Sequence, residues 1–85
     1  MAVPCYVYII LCKDGSFYTG STRDLDSRMK LHINGHGARY TRMHRPKKIV
    51  YVEEFVSRAE AMKREKSIKS LNHRQKLELI SSGTQ

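Results

Sequence analysis

The chain has 85 residues, enough for one small domain (1–85) with a modest hydrophobic core. Its 16 lysine and arginine residues against 8 acidic ones give a formal net charge of +8, which favours a polyanionic partner, nucleic acid before an anionic membrane surface. No apolar run approaches the roughly 20 residues of a membrane helix and the N-terminus has no signal-peptide pattern, so we expect no membrane partner and a cytoplasmic protein. A basic protein whose charge serves only solubility is the alternative.

Residues 5–20 predict a β-hairpin, because two runs rich in Val, Ile, Tyr and Phe flank the turn sequence Asp14-Gly15. The length of the loop decides which side chains share a face. With a two-residue loop, Tyr8 and Tyr18 point to opposite faces; with a three-residue loop ending at Gly15, both lie on one face. We favour the longer loop, because a left-handed position directly after Asp suits Gly.

Cys5 and Cys12 lie seven positions apart on one predicted strand, so their side chains point to opposite faces. They therefore cannot form a disulfide with each other or jointly bind one metal ion. We expect two small buried thiols in a reducing compartment.

A helix is predicted next, capped by Thr22 or Asp24 and ended by Asn34-Gly35. Arg28 and His32 lie one turn apart and project together along one edge of its apolar stripe. The stripe itself comes from three residues at four-residue spacing, Leu25, Met29 and Ile33.

Residues 35–48 form a basic connection with five lysine or arginine residues and no acid, and residues 38–43 predict a short helix within it. Basic side chains interleaved with Tyr40 suit a surface that contacts phosphates and stacks one base, although a solvated basic loop has the same pattern. The candidate nucleic-acid contacts along the chain are Arg23, Lys30, Arg39, Tyr40, Arg42, Arg45, Lys47 and Lys69.

The third strand is predicted from Ile49 towards Phe55, and its continuous apolar run favours a central position in the sheet. A capping box at residues 57–60 starts a helix that we expect to end near Leu71. Glu65 falls on the apolar face of this helix, where a carboxylate is costly unless it is paired or binds a cation. A salt bridge to Arg28, or partial exposure at a ragged edge of the apolar face, is the simpler explanation. A last helix is predicted over about residues 73–80, followed by a frayed end.

The triplets Tyr6-Val7-Tyr8 and Tyr18-Thr19-Gly20 resemble the paired signature of the GIY-YIG nuclease superfamily. Both signature tyrosines and the last glycine are in place, whereas the first glycine and both isoleucines are replaced. The family has an arginine on the first helix eight positions beyond the last glycine, here Arg28, and several members have His or Tyr one turn later, here His32. The metal-binding glutamate lies in a segment of the type Glu-Ala-x-x-x-Glu-x-x-Ile-Lys, which residues 60–69 match and which selects Glu65.

The resemblance extends over about residues 5–72 and is closest to the small stand-alone bacterial domains of the YhbQ-like group. It implies an α+β fold, a three-stranded antiparallel sheet flanked by helices in the order β-β-α-α-β-α-α. It further implies phosphodiester hydrolysis with one divalent ion, Mg²⁺ or Mn²⁺. A hard oxygen ligand and a phosphate-binding guanidinium are the groups that such chemistry needs.

The same resemblance implies a role for each site residue. Glu65 would bind the metal ion and Arg28 the scissile phosphate, while Tyr8 and Tyr18 would flank the attacking water. We assign Tyr8 as general base, which requires its pKa to fall well below about 10, and Tyr18 as the orienting group. His32 would relay the proton or hold a tyrosine in position.

Three functions are therefore weighed. The first is an endonuclease-type domain that acts on DNA or on branched or single-stranded nucleic acid. The second is a non-catalytic nucleic-acid-binding module with the same fold, and the third is a small interaction module. The sequence leaves open the oligomeric state and a partner protein that supplies specificity.

Overall fold

Residues 4–83 are described by a computed structural model. The elements are β1 (Cys5–Cys12), β2 (Phe17–Thr22), α1 (Leu25–Ile33), α2 (Arg39–Met43), β3 (Pro46–Phe55), α3 (Arg58–Lys69) and α4 (His73–Gly83). The strands form one antiparallel sheet in the order β2-β1-β3. The predicted α+β architecture and the predicted order of elements are both confirmed.

The hairpin between β1 and β2 has the three-residue loop that the sequence favoured. Cys12 N–H donates to the Ser16 carbonyl at 2.8 Å, and Gly15 has a φ of +87°, the left-handed region that glycine tolerates best. In the resulting register, Tyr8 pairs with Gly20 and Tyr18 pairs with Ile10. Both tyrosines therefore lie on one face of the sheet.

The centre of the sheet is β1, and the prediction that the third strand is central is wrong. The four residues Val7 to Ile10 are at most 2% exposed, because β1 is apolar on both faces and both are covered. β3 is an edge strand in which Val52 is 44% exposed. It also carries Glu53, whose carboxylate accepts hydrogen bonds from Tyr51 and Arg64. An edge position lets such polar side chains reach solvent or partners.

Each face of β1 belongs to a separate core. On the face covered by α3 and α4, the buried apolar residues are Cys5, Val7, Ile9, Phe17, Ala61 and Ile68. On the other face, Leu25 and Met29 of α1 pack against Tyr8, Ile10 and Cys12. The two cysteines are buried and free, one in each core, as the alternation of the strand predicted.

The buried face of α1 differs from the predicted stripe. Asp24 caps the helix by accepting from Ser27 N–H at 3.1 Å. Ile33 is 56% exposed, whereas His32 is 1% exposed. A spacing of four residues advances about 40° beyond a full turn, so two such steps carry a side chain about 80° away from the first. The C-terminal half of α1 therefore turns His32 inward in place of Ile33.

The two C-terminal helices depart from prediction only at their ends. Ser57 caps α3 by accepting from Glu60 N–H at 3.2 Å, as the capping box predicted. α3 ends at Lys69 instead of Leu71, and α4 continues to Gly83 instead of fraying from residue 81. Residues 84–85 of the predicted frayed end and residues 1–3 lie outside the described residues. Between residues 4 and 83, no helix combines the length and the apolar character that a membrane span needs.

Candidate active site

Tyr8, His32 and Thr41 form a buried hydrogen-bonded chain between β1, α1 and α2. The Tyr8 hydroxyl lies 2.9 Å from His32 Nε2, and His32 Nδ1 lies 2.7 Å from the Thr41 hydroxyl. All three side chains are at most 2% exposed. The chain joins two predicted site residues to a third residue that the sequence did not single out.

The direction of the hydrogen bonds follows from Thr41. Its hydroxyl proton is donated to the Ala38 carbonyl at 2.9 Å, so it can only accept from His32 Nδ1–H. His32 Nε2 then carries the lone pair and accepts from the Tyr8 hydroxyl. Burial, and next to it the positive charge of Arg28, lower the pKa of His32 below its ordinary value. The imidazole is therefore neutral, with its basic nitrogen aimed at the phenol.

Two glycines make room for this chain. A Cβ at Gly20 would lie 2.6 Å from the Tyr8 hydroxyl oxygen, and a Cβ at Gly37 would lie 2.2 Å from His32 Nδ1. Neither distance is possible between non-bonded atoms. Gly20 belongs to the signature triplet of the sequence, whereas Gly37 was missed because nothing local marks it.

Tyr18 lies beside this chain and begins an aromatic surface. Its ring centroid is 6.4 Å from that of Tyr8 and 5.3 Å from that of His32. On its outer side it stacks on Tyr40 at 5.9 Å, and Tyr40 stacks on His44 at 4.2 Å. Tyr40 therefore joins the site through Tyr18 and is exposed enough to contact a ligand.

Glu65 projects from α3 towards the β2 edge of the sheet. Ser21 donates to its Oε1 at 2.6 Å, and Lys69 pairs with its Oε2 at 2.8 Å. Burial raises the pKa of Glu65, but the hydrogen bonds from Lys69 and Ser21 outweigh this effect and hold the pKa below its ordinary value. The carboxylate is therefore ionised. The alternative salt bridge to Arg28 is not formed, because Lys69, one turn further along α3, takes that place.

Glu65 and the two tyrosines lie on opposite faces of the sheet. Ser21, which binds Glu65, pairs with Val7 on the α3 face, whereas the tyrosines lie on the α1 face. The charges of Glu65 and Arg28 nevertheless act on both phenols, Glu65 raising and Arg28 lowering their pKa values. The charges of the carboxylate and the guanidinium are thus felt at both hydroxyls, although the carboxylate has its hydrogen bonds on the other face of the sheet.

The protonation of Tyr8 differs from the condition set for a phenolate base. Burial raises the pKa of Tyr8 well above 10, the nearby Tyr18 adds to this effect, and Arg28 only partly opposes it. Burial likewise raises the pKa of Tyr18. Both phenols are therefore protonated in this structure, and Tyr8 is a hydrogen-bond donor to His32.

The predicted nucleic-acid contacts fall into three groups. Arg23 lines a cleft with Arg28, Tyr40 stacks on Tyr18, and Lys69 is paired with Glu65, so these three adjoin the site. The exposed residues Arg39 and Arg42 belong to α2, which also carries Tyr40.

The remaining three lie away from Glu65. Arg45 is beside the hairpin loop, where its carbonyl accepts from Lys13 N–H at 2.8 Å. Lys47 is exposed on β3, on the other side of β1 from Glu65. Lys30 is exposed two residues before His32, about 200° around α1 from that buried side chain.

Glu65 is the carboxylate that this site offers to a metal ion. Within residues 4–83, no three His, Cys, Asp or Glu side chains gather into a metal-binding group. Glu65 with the Ser21 hydroxyl offers hard oxygen donors, and Lys69, half exposed, can move aside. Mg²⁺ retains most of its water and often binds through one or two carboxylates and a phosphate. The donor set therefore fits an ion held mainly by water and substrate.

Comparison with known proteins identifies the family. The family model described as GIY-YIG catalytic domain matches residues 4–78. This chain belongs to the GIY-YIG family. The GIY-YIG match includes all five candidate catalytic residues, from Tyr8 to Glu65, and both strands that carry the tyrosines.

Close relatives of this GIY-YIG protein are small proteins. The UPF0213 protein of Staphylococcus saprophyticus is 50% identical over 78 residues, 92% of this chain and 95% of its own length. That of Clostridium perfringens is 56% identical over 77 residues, 91% of this chain and 83% of its own. A solution structure of the UPF0213 protein from Bacillus halodurans has a TM-score of 0.62 at 48% identity, covering 95% of this chain and 87% of that one. A solution structure of a protein from E. faecalis has a TM-score of 0.65 at 37% identity, and the match covers 96% of this chain and 90% of that one.

Proposed function

We propose that this protein is a metal-dependent endonuclease-type phosphodiesterase that acts on DNA or on structured or single-stranded nucleic acid. The observation that carries the proposal is the protonated Tyr8 hydroxyl aimed at the neutral Nε2 of His32, within the field of Arg28 and Glu65. The family match and the net charge of +8 support a nucleic-acid substrate. Two buried thiols that remain free suit the cytoplasm.

The hydrogen-bonded chain supplies a route for the proton of the attacking water. The Tyr8 oxygen retains lone pairs, so it accepts a proton from water as its own proton passes to His32 Nε2. The hydroxide attacks phosphorus, the opposite P–O bond breaks, and the leaving oxygen takes a proton from solvent. His32, then a buried imidazolium held by Thr41, returns its extra proton to solvent through the Tyr8 hydroxyl. Tyr8 is thus a relay and needs no phenolate in the resting protein.

Arg28 links substrate binding to this proton transfer. Its positive charge lowers the pKa of His32 in the free protein. A phosphate bound to Arg28 neutralises that charge, which raises the proton affinity of His32 when the substrate is in place. The guanidinium also stabilises the negative charge that develops on the phosphoryl oxygens. The relay is therefore strongest in the complex.

Glu65, with the Ser21 hydroxyl beside it, would hold the divalent ion. The ion supplies charge stabilisation at the phosphate when bound. Lys69 occupies Glu65 Oε2 in this structure and keeps the carboxylate ionised. Its half-exposed side chain can exchange that contact for a substrate phosphate.

The Glu65–Lys69 pair also favours a second candidate, a nucleic-acid-binding module without catalysis. In that case the ion pair neutralises the carboxylate permanently and the basic surface carries the function. The two candidates differ only in whether bonds are broken.

A nicking assay on plasmid and branched DNA, with Mg²⁺ or Mn²⁺, separates them. The hydrolase predicts cleavage that falls by about 100- to 1,000-fold in Arg28→Ala, the usual cost of removing one charge-stabilising donor. Glu65→Gln should lose metal-dependent cleavage altogether. Glu60→Gln, an exposed glutamate on the same helix, is the matched control and should cleave as the wild type does.

Binding to the same DNA is measured in parallel, with the metal chelated. If the wild type binds but never cleaves, the non-catalytic module is correct. If Glu65→Gln cleaves as well as Glu60→Gln, the assignment of Glu65 is wrong.

A further inference from the structure

An arginine cleft of about 260 Å³ opens at the end of the sheet where β1 begins and β2 ends. Its wall continues to the N-terminus of α3, the positive end of that helix. The residues that line it are Cys5, Ser21, Thr22, Arg23, Arg28 and Arg58. Arg58 lies within the predicted capping box, and no functional role was predicted for it.

The three guanidiniums of this cleft have no acidic partner. Across residues 4–83, neither an ion pair nor a side-chain hydrogen bond involves Arg23, Arg28 or Arg58. Asp24, adjacent to Arg23 in the chain, has its carboxylate engaged by the Ser27 N–H and hydroxyl at 3.1 and 2.8 Å.

Within the described part of the chain, two of the five other arginines are paired, Arg64 with Glu53 at 3.1 Å and Arg74 with Glu78 at 3.5 Å. Three unpaired like charges around one concavity repel one another and focus a positive potential into it. An anion bound in the cleft relieves that repulsion.

Ser21 connects the cleft to the candidate active site. It lines the cleft, and its hydroxyl donates to Glu65 at 2.6 Å. Arg28 also belongs to both, since it lines the cleft and its charge acts on both signature tyrosines. An anion in the cleft would therefore lie beside Arg28, the residue to which the proposed function assigns the scissile phosphate.

We propose that Arg23 and Arg58 hold a second phosphate group of the nucleic acid, next to the one at Arg28 and Glu65. This inference rests on the proposed nucleic-acid substrate. Guanidinium groups donate paired hydrogen bonds that match the oxygens of a phosphate. All three arginines are exposed, so a nucleic-acid strand can lie across the cleft. The phosphate is either an internal diester or a terminal monoester, since both present the oxygens that the cleft recognises.

The test measures the salt dependence of binding to a fluorescein-labelled branched DNA with the metal chelated, so that no cleavage interferes. Each phosphate contact contributes about 0.9 to the slope of log K against log salt concentration. Arg23→Ala and Arg58→Ala should each lower the slope by up to about 1. Because both hold one phosphate, the double variant should lose about 1 in total, not about 2.

Arg74→Ala is the matched control, since it removes one positive charge from an exposed, paired arginine of α4. It should leave the slope unchanged. If Arg58→Ala and Arg74→Ala give the same slope as the wild type, or if the double variant of Arg23 and Arg58 loses about 2 from the slope, the inference is wrong.

A titration with inorganic phosphate, followed by NMR of the arginine side chains, tests the cleft without nucleic acid. The Nε–Hε signals of Arg23 and Arg58 should shift while that of Arg74 stays in place; the reverse pattern overturns the proposal. If DNA binds equally well with and without a 5′-phosphate, the phosphate in the cleft is an internal diester. If the 5′-phosphate makes binding tighter, the phosphate in the cleft is a terminal monoester. If the cleft passes these tests but no DNA is cleaved, only the hydrolase proposal fails.

Discussion

Replacing Thr41 by Val removes the acceptor that fixes the tautomer of His32. The two side chains have nearly the same shape, so the change deletes a hydroxyl without leaving a large cavity. His32 Nδ1–H, at a site 1% exposed, then has no partner, and the Ala38 carbonyl loses its hydrogen bond from Thr41. An imidazole in this state favours moving its proton to Nε2, which removes the acceptor of the Tyr8 hydroxyl.

The size of the effect follows from the burial of that N–H. A buried donor left without a partner costs about 1–3 kcal/mol of unfolding free energy. Each kcal/mol lowers Tm by about 4–8 °C in a domain of 60–100 residues, so Thr41→Val should melt about 5–20 °C below the wild type. General-base assistance contributes about 100- to 10,000-fold to a rate, and most of that factor should be lost from DNA cleavage.

The ¹⁵N shifts of the His32 ring report the tautomer directly, independently of activity. The wild type should carry its proton on Nδ1, and Thr41→Val should move it at least partly to Nε2. Thr41→Ser is the matched control, since it loses a methyl group worth about 0.8 kcal/mol but keeps the acceptor, the tautomer and the cleavage rate. The proton relay is refuted if Thr41→Val retains both the Nδ1–H tautomer and wild-type cleavage.

Three further predictions concern buried residues on the two faces of the sheet. Gly37→Ala should lower Tm and slow DNA cleavage, because its Cβ would lie 2.2 Å from His32 Nδ1; equal Tm and rate would contradict this packing. Thr19→Val should raise the unfolding free energy in urea by about 1–2 kcal/mol, since within residues 4–83 the Thr19 hydroxyl is buried without a partner; a lower stability would show that it has one. His32 takes up a proton near pH 6.5 in the unfolded chain and only at lower pH in the folded protein. Because the unfolded chain then binds more protons, the wild type should lose unfolding free energy as the pH falls below about 6.5. In the same titration, His32→Gln should show a smaller loss; an equal one would refute the lowered pKa.

The hairpin and its register were predictable because the determining chemistry is local. Asp14-Gly15 specifies the loop, the loop fixes the register, and the register places Tyr8 and Tyr18 on one face. Glu65 was also detectable, since a carboxylate on an apolar helix face needs a partner. Its partners were not, because Ser21 lies 44 residues away in the chain.

The burial of His32 and the role of Thr41 are beyond local pattern. Both depend on how α1 and α2 pack, and a four-residue stripe drifts around a helix as it lengthens. The central strand was misjudged for a related reason. An apolar run of similar length occurs in two strands, and only the helices above and below decide which of them is covered on both faces.

The placement of the site at the β2 edge explains why the loop length matters beyond the fold. Alternate residues of β2 face opposite sides of the sheet. Gly20 therefore leaves room for the Tyr8 hydroxyl on one side, while Ser21 donates a hydrogen bond to Glu65 on the other. A slip of one residue would exchange these faces, placing a side chain against Tyr8 and removing the hydroxyl from Glu65. The three-residue turn closed by Gly15 therefore sets both halves of the site at once, and a change in that turn would disable the relay and the carboxylate together.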